Sequence, residues 1–399
     1  MPRALSTGEA VGSYAGPTQA EETHSKEVMA GERIVPDLTM SNVPISRINE
    51  LQAHLAELGN NPDTAINARL FDEVELQLTE TNIPPLLPTV LVPLTQILRI
   101  TTQDPSPLLS MTIKLLSPLA FSRVLAIADA PSILSALVSQ LPGANLLALA
   151  ILHKAARSPA DAAILSTLPD LFEALITRWL DAQDVGVGER AAKVLGDLLQ
   201  TDCAIVPEDN QGRGDGANGT ELVKRHAPGH GRLWHMLFGT ERVFALIPDL
   251  CGSSSAAGGA GGASRTERQV SISQGRLLRL LPRLATINLP AVTRTEFPDL
   301  VPLPQSLARS TGNGLLQWAA LAMVDKSDML MHLSLIDFFE TLVSILRVTN
   351  GAATVARSLV KAATANDGQL KDSLAGLPDR TVEEEAEPLR LFIGQLLID

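Results

Sequence analysis

Histidines, cysteines and scattered carboxylates are the residues here that could do chemistry, and His226, His230 and His235 come closest to a site. The first two stand in HxxxH spacing, which on a helix puts two imidazoles on one face, where they can share a zinc ion. Pro228 and Gly229 fall between them, so no helix can align the pair. No cysteine or evident carboxylate completes the set, and the expectation is a structural or solvated role with no metal. Cys203 and Cys251 lie far apart, each without a second cysteine nearby. That spacing is neither a disulfide framework nor a zinc site. It reads as two reduced thiols, the usual state in an intracellular compartment.

Nucleophilic catalysis leaves no local signature. There is no G-x-S-x-G elbow and no glycine-flanked cysteine ahead of a helix. Ser-His-Asp constellations are dispersed in sequence, so counting alone does not dispose of them. Most carboxylates fall on polar helix faces, where solvation is the ordinary role. Gly212, Gly214, Gly216 and Gly219 loosely evoke a phosphate cradle, but the loop lacks the Lys-Ser/Thr ending and no strand precedes it. Arg213-Gly214-Asp215 in the same loop reads as loop filler. The expectation is a protein without enzymatic activity, with no catalytic residues and no cofactor.

Binding residues are easier to nominate. If residues 268–284 are helical, Arg268, Arg276, Arg279 and Arg283 lie close to one face, with Leu277, Leu280, Leu281 and Leu284 on the other. Such a basic stripe in an acidic chain could meet an acidic patch on a partner. A solvated face with internal ion pairs is the plainer alternative. Pro282 is expected to kink or end that helix. Trp234, Met236, Phe238 and Phe244 could supply a surface anchor or simply the core of their own short unit. Arg276, Arg279 and Arg283, with Arg232 and Trp234, are the candidate partner-binding residues.

These residues need elements to hold them. The chain has 399 residues, enough for two or three domains, with 45% hydrophobic and only 3% aromatic residues. Leu and Ala dominate the apolar positions and favour helix, whereas strands draw on β-branched and aromatic side chains. The net charge of −12 opposes general binding to a phosphate backbone, which requires many Lys/Arg contacts. It suits a cytosolic or nuclear protein with a basic partner surface. The opening residues contain no apolar signal region, and no stretch reads as the ~18 apolar residues of a membrane span. The nearest, Pro84 to Leu98, is interrupted by Pro84, Pro85, Pro88 and Pro93.

Residues 1–40 are polar and aperiodic and are expected to be a disordered tail. From Ser41 onward Ile45, Ile48, Leu51, Leu55 and Leu58 follow helical spacing. Pro105, Pro118, Pro131, Pro142, Pro159 and Pro169 then punctuate Leu/Ala-rich stretches of helical length, and proline is tolerated in a first helical turn. Ser158, Pro159 and Asp161 spell a capped helix start. In the segment from Asp184, Val187, Ala191, Val194, Leu195 and Leu198 share one face, and Ala191, Ala192 and Gly196 leave room for a close neighbour. Met331, Leu335, Phe338, Phe339, Leu342 and Leu346 do the same further on. Both segments look like repeat helices of a HEAT/armadillo-like solenoid, and the chain could hold roughly eight such units. The expected organisation is an all-α array over 41–206, a flexible loop at 207–220, and a second array over 221–399 with a Gly/Ala-rich insertion at 252–264. The two arrays could be hinged at the loop or stacked continuously across it.

Three segments carry a family likeness: GHGRLWHMLFGTERVFALIPDLCG (229–252), SISQGRLLRLLPRLATIN (271–288) and GLLQWAALAMVDKSDMLMHLSLIDFFETLV (314–343). They resemble the fungal branch of the proteasome non-ATPase regulatory subunit 5 family, whose fungal members are often labelled DNA mismatch repair proteins. The resemblance implies an assembly chaperone of the base of the proteasome regulatory particle. Its partner would be the C-terminal domain of one AAA ATPase subunit, released on maturation. It implies other base subunits as further partners, no cofactor, no membrane and no direct nucleic-acid contact, and a monomeric chain. The N-terminal extension and the 252–264 insertion have no counterpart in the family pattern. The other readings are a generic HEAT-type scaffold, a DNA-repair factor and, third, a cryptic hydrolase, which would need a deep polar pocket around perturbed titratable groups.

Overall fold

Short apolar stretches separated by prolines become short helices. The computed structural model describes residues 44–204, 228–252, 265–349 and 351–398, and among these it is all-α, with no strand. In chain order the helices are α1 (Ile48–Asn60), α2 (Ala68–Glu75), α3 (Val92–Ile100), α4 (Ser106–Leu116), α5 (Phe121–Leu125), α6 (Ala130–Val138) and α7 (Pro142–His153). Next come α8 (Pro159–Leu165), α9 (Pro169–Asp181), α10 (Val185–Thr201), α11 (Arg232–Gly239), α12 (Glu241–Cys251), α13 (Glu267–Ile287) and α14 (Leu289–Thr293). The last are α15 (Gln305–Thr311), α16 (Leu315–Leu321), α17 (Met329–Arg347), α18 (Ala353–Thr364), α19 (Gly368–Gly376) and α20 (Glu383–Leu397).

The starts are written in the sequence. Pro142, Pro159 and Pro169 each open a helix, where a missing N–H is no loss. Ser158 accepts from the Asp161 amide at 3.1 Å, and Asp184 caps α10 by accepting from Val187 at 2.8 Å. Each cap is worth about 1 kcal/mol.

A helix too short to stand alone must bury its stripe on neighbours. Here α6 packs on α7, α9 on α10 and α12 on α13, and each pair stacks on the next. One row runs α4–α7–α10–α13–α17; a second runs α6–α9–α12. This is a HEAT/armadillo-like solenoid, in which each unit touches chiefly its neighbours. The expected stripes are its core: Leu51, Leu55 and Leu58 in α1; Val187, Ala191, Val194, Leu195 and Leu198 in α10; Met331, Leu335, Phe338, Phe339, Leu342 and Leu346 in α17.

Stacking does not pause at the 207–220 loop. On its far side α12 packs on α9, and α13 packs on both α9 and α10. Residues Ile45–Asp399 accordingly form one unit. The 1–40 tail, the 207–220 loop and nearly all of the 252–264 insertion lie outside the described residues, as do Arg213, Asp215 and His226.

Short helices also end often, and each end leaves carbonyls without intrahelical donors. Side chains from the next layer supply them. Asn145 of α7 donates to Ala136, Leu137 and Ser139 beyond α6, at 2.9–3.0 Å. Ser273 and Arg276 of α13 donate to Leu180 at the end of α9, at 2.8 and 3.1 Å. Gln274 donates to Cys251 at the end of α12, at 2.8 Å. Arg265 reaches the Leu250 carbonyl beside it.

Two expectations need correcting. Pro282 does not end its helix, since α13 continues through it to Ile287. Leu277, Leu280, Leu281 and Leu284 are all buried around it, and that packing outweighs the roughly 3 kcal/mol an interior proline forfeits. The membrane reading also changes: among the described residues α17 is long and apolar enough to cross a bilayer, with a mean hydropathy of 1.6. Asp337 and Glu340 break its apolar run residue by residue but barely move the average. Its apolar face packs on α13, α18, α19 and α20.

α13 and α10 approach through a glycine. A Cβ on Gly188 would fall on the buried Arg276 guanidinium. Gly188→Ala is expected to cost about 1–3 kcal/mol, as overpacking does. In an Arg276→Ala background the same substitution should be close to neutral, because its obstacle is gone. Urea unfolding of the four proteins measures this; equal costs in both backgrounds would disprove the contact.

Candidate functional site

One cavity follows from the row of helices. It measures about 790 Å³ and is a groove crossing α4, α7, α8, α10 and α13, with Ile113, Leu116, Ile151 and Ile287 among its apolar lining. Its polar lining is set by helix ends. α7 stops at His153, and the 3-10 turn Lys154–Arg157 follows. α10 then brings Arg190 and Asp197, two turns apart on one face, opposite that turn.

Asp197 is the hub. It accepts from His153 Nε2 at 2.7 Å, from Arg283 Nη2 at 2.6 Å, and has Lys193 Nζ at 3.5 Å. Burial alone would raise its pKa; hydrogen bonds from Arg283 and His153 prevail and hold the carboxyl below its usual range. Arg190 Nη2 lies 3.3 Å from His153 Nδ1. A guanidinium can only donate, so Nδ1 accepts and the proton facing Asp197 sits on Nε2. Both imidazole nitrogens are thereby engaged, and neither remains to take a proton from a nucleophile.

Lys154 lies in the floor, 6% exposed. It donates to the carbonyls of Ser117 and Leu119 at 3.1 and 3.0 Å, where the negative end of α4 welcomes a cation. Burial, with Arg157 nearby, pulls its pKa down to about 8 against the pull of Glu80. Arg157 is exposed at the rim and has no ion pair among the described residues. Among the described residues, Asp197 is the only carboxylate lining the groove.

No protein-family model matches this chain, and the comparison with curated proteins returned no match either.

Three of the nominated residues, Arg276, Arg279 and Arg283, line one recess, and the other two, Arg232 and Trp234, lie on α11. Arg276 is 8% exposed and turned inward onto Leu180 and Asp184; burial lowers its pKa, with Glu189 and Asp181 opposing. It serves as a helix-end cap on α9. Trp234 is also inside: its ring stacks on Phe238 at 5.5 Å and its Nε1 donates to Leu199 at 2.7 Å. Arg279 is exposed and paired with Glu189, and a pair so solvated is worth little. Arg283 belongs to the Asp197 hub. Arg232 is exposed at the start of α11. Arg276, Arg279 and Arg283 together border a recess of about 190 Å³ between α10 and α13, with Lys193 and Glu189 also in its lining.

His153, Lys154, Arg157, Arg190 and Asp197 were missed. A partial signal exists: Arg190, Lys193 and Asp197 share a helix face, and three basic residues cluster where α7 ends. Neither segment announces that its partner lies 44 residues away.

The buried lysine has a pH signature. Its folded pKa of about 8 lies below the ordinary lysine value near 10.4. Between these values the unfolded chain holds more protons, so this group adds stability as pH rises and is unfavourable below about 8. Relative to Lys154→Met, the wild-type protein is expected to gain up to about 3 kcal/mol between pH 7 and pH 10.5. Parallel urea-unfolding profiles for the two proteins would contradict it.

Proposed function

We propose that this chain is a holding protein: an assembly chaperone for the base of the proteasome regulatory particle. It binds the C-terminal domain of one AAA ATPase subunit and is released as the particle matures. The observation that carries the holding role is the groove, whose lining comes from successive helices of one solenoid row. Such surfaces suit an extended contact with another chain.

The particular partner rests on the three segments of family likeness. Their packing supports treating them as one block. Residues 229–252 supply α11 and α12, residues 271–288 most of α13, and residues 314–343 α16 and most of α17. α13 lies against α12, α16 and α17. A likeness confined to mutually packed helices is what a shared structural unit produces, since their volumes must match one another. In the proposed cycle, occupation of the ATPase domain prevents premature docking on the proteolytic core, and competition by neighbouring subunits ends it. No cofactor enters.

Affinity purification of the tagged chain from extract of its own cells tests this. AAA ATPase subunits of the proteasome are expected, without the mature proteolytic core. Recovery of unrelated partners alone would leave a generic scaffold. Retention on DNA that weakens steeply with salt would favour the DNA-repair reading.

A further inference from the structure

The charge lining the groove is opposite in sign to that of the chain as a whole. The whole chain carries −12, yet Lys154, Arg157 and Arg190 line this one cavity with Asp197 as its acid. Asp197 is already taken by Arg283, Lys193 and His153. Arg190 has only a long contact to an imidazole nitrogen, and Arg157 has no ion pair among the described residues. Two guanidiniums therefore line the groove with no carboxylate partner among the described residues. The same groove is also lined by the apolar side chains of Ile113, Leu116 and Ile151.

We propose that this groove receives an extended acidic peptide segment of the partner, Arg157 and Arg190 taking its carboxylates and the apolar floor taking the side chains between them. The proposal deepens the preceding reading and rests on the groove being the partner site. A planar guanidinium matches a carboxylate through two parallel hydrogen bonds. A volume of about 790 Å³ falls within the range of about 300–1,000 Å³ typical of ligand sites. It suits a few residues of extended chain and not a folded domain. Nucleic acid fits less well. Its affinity comes from many phosphate contacts, whereas Glu189 flanks the neighbouring recess and Asp197 stands in the groove itself. Lys154 is spent on the end of α4, so it contributes field and not a contact.

The test uses the full chain and a fluorescein-labelled peptide alternating Glu and Leu, read by fluorescence anisotropy. Saturable binding that weakens with added salt is expected. Arg157→Glu, at an exposed position, should weaken it roughly tenfold or more while leaving the helical circular dichroism and the melting temperature unchanged. Arg157→Glu with Arg190→Glu should abolish it. The Lys-for-Glu peptide should not saturate. Equal binding of both peptides, indifference to Arg157→Glu, or tighter binding of a single-stranded oligonucleotide would each overturn the proposal. Failure of the two readings is separable. If Arg157→Glu still captures the ATPase while no acidic peptide binds, the groove proposal falls and the chaperone reading stands. If the peptide binds through both arginines and no ATPase is captured, the reverse holds.

Discussion

Most of the described helices end soon after they begin, and the last carbonyls of each need donors that the helix cannot supply. A single long helix meets that need at one end only. A stack of short ones meets it at every layer, inside the protein, where an unpaired carbonyl costs about 1–3 kcal/mol. The solution recurs: a polar side chain from the neighbouring layer reaches the exposed carbonyls. Asn145 serves α6, Lys154 serves the end of α4, Ser273 and Arg276 serve α9, and Gln274 serves α12. These bonds also set how far one layer slides on the next, because each donor has one place to be.

That constraint reassigns charge. Cations sit well at the negative end of a helix, so Lys154 and Arg276 are drawn inward, out of the pool of residues that could meet a partner. Gly188 exists in this geometry as space: without it the Arg276 guanidinium has nowhere to lie. The same logic brings His153 and Arg190 to Asp197, since α7 and α10 are adjacent in one row and their polar faces meet along it. What remains outward is set by what the helix ends have left over.

The groove is thus a by-product of stacking. Its lining comes from residues far apart in sequence, each placed by its own helix, and its apolar floor is the part of each stripe that no neighbour covers. A holding function needs nothing beyond this. A rigid row of helices presents a preformed surface, and preformed surfaces bind without first having to be ordered.

The sequence by itself determined helix class, helix starts and core faces. Proline and cap positions such as Ser158-Pro159 and Asp184 depend on local backbone chemistry, and the stripes of α1, α10 and α17 depend on a period of 3.6, so both are readable within a dozen residues. The destinations of the polar residues were decided only by tertiary structure. Arg276 and Arg279 lie nearly on the same face, yet one is buried on α9 and the other is in solvent beside Glu189. Trp234 reads from sequence more readily as core than as a surface anchor, and the Leu199 carbonyl that accepts from its Nε1 places it inside. Pro282 was a local stop signal overridden by burial on several helices. In each case the deciding neighbour lies in another repeat, and helical periodicity carries no information about which carbonyl or carboxylate the next layer will put within reach.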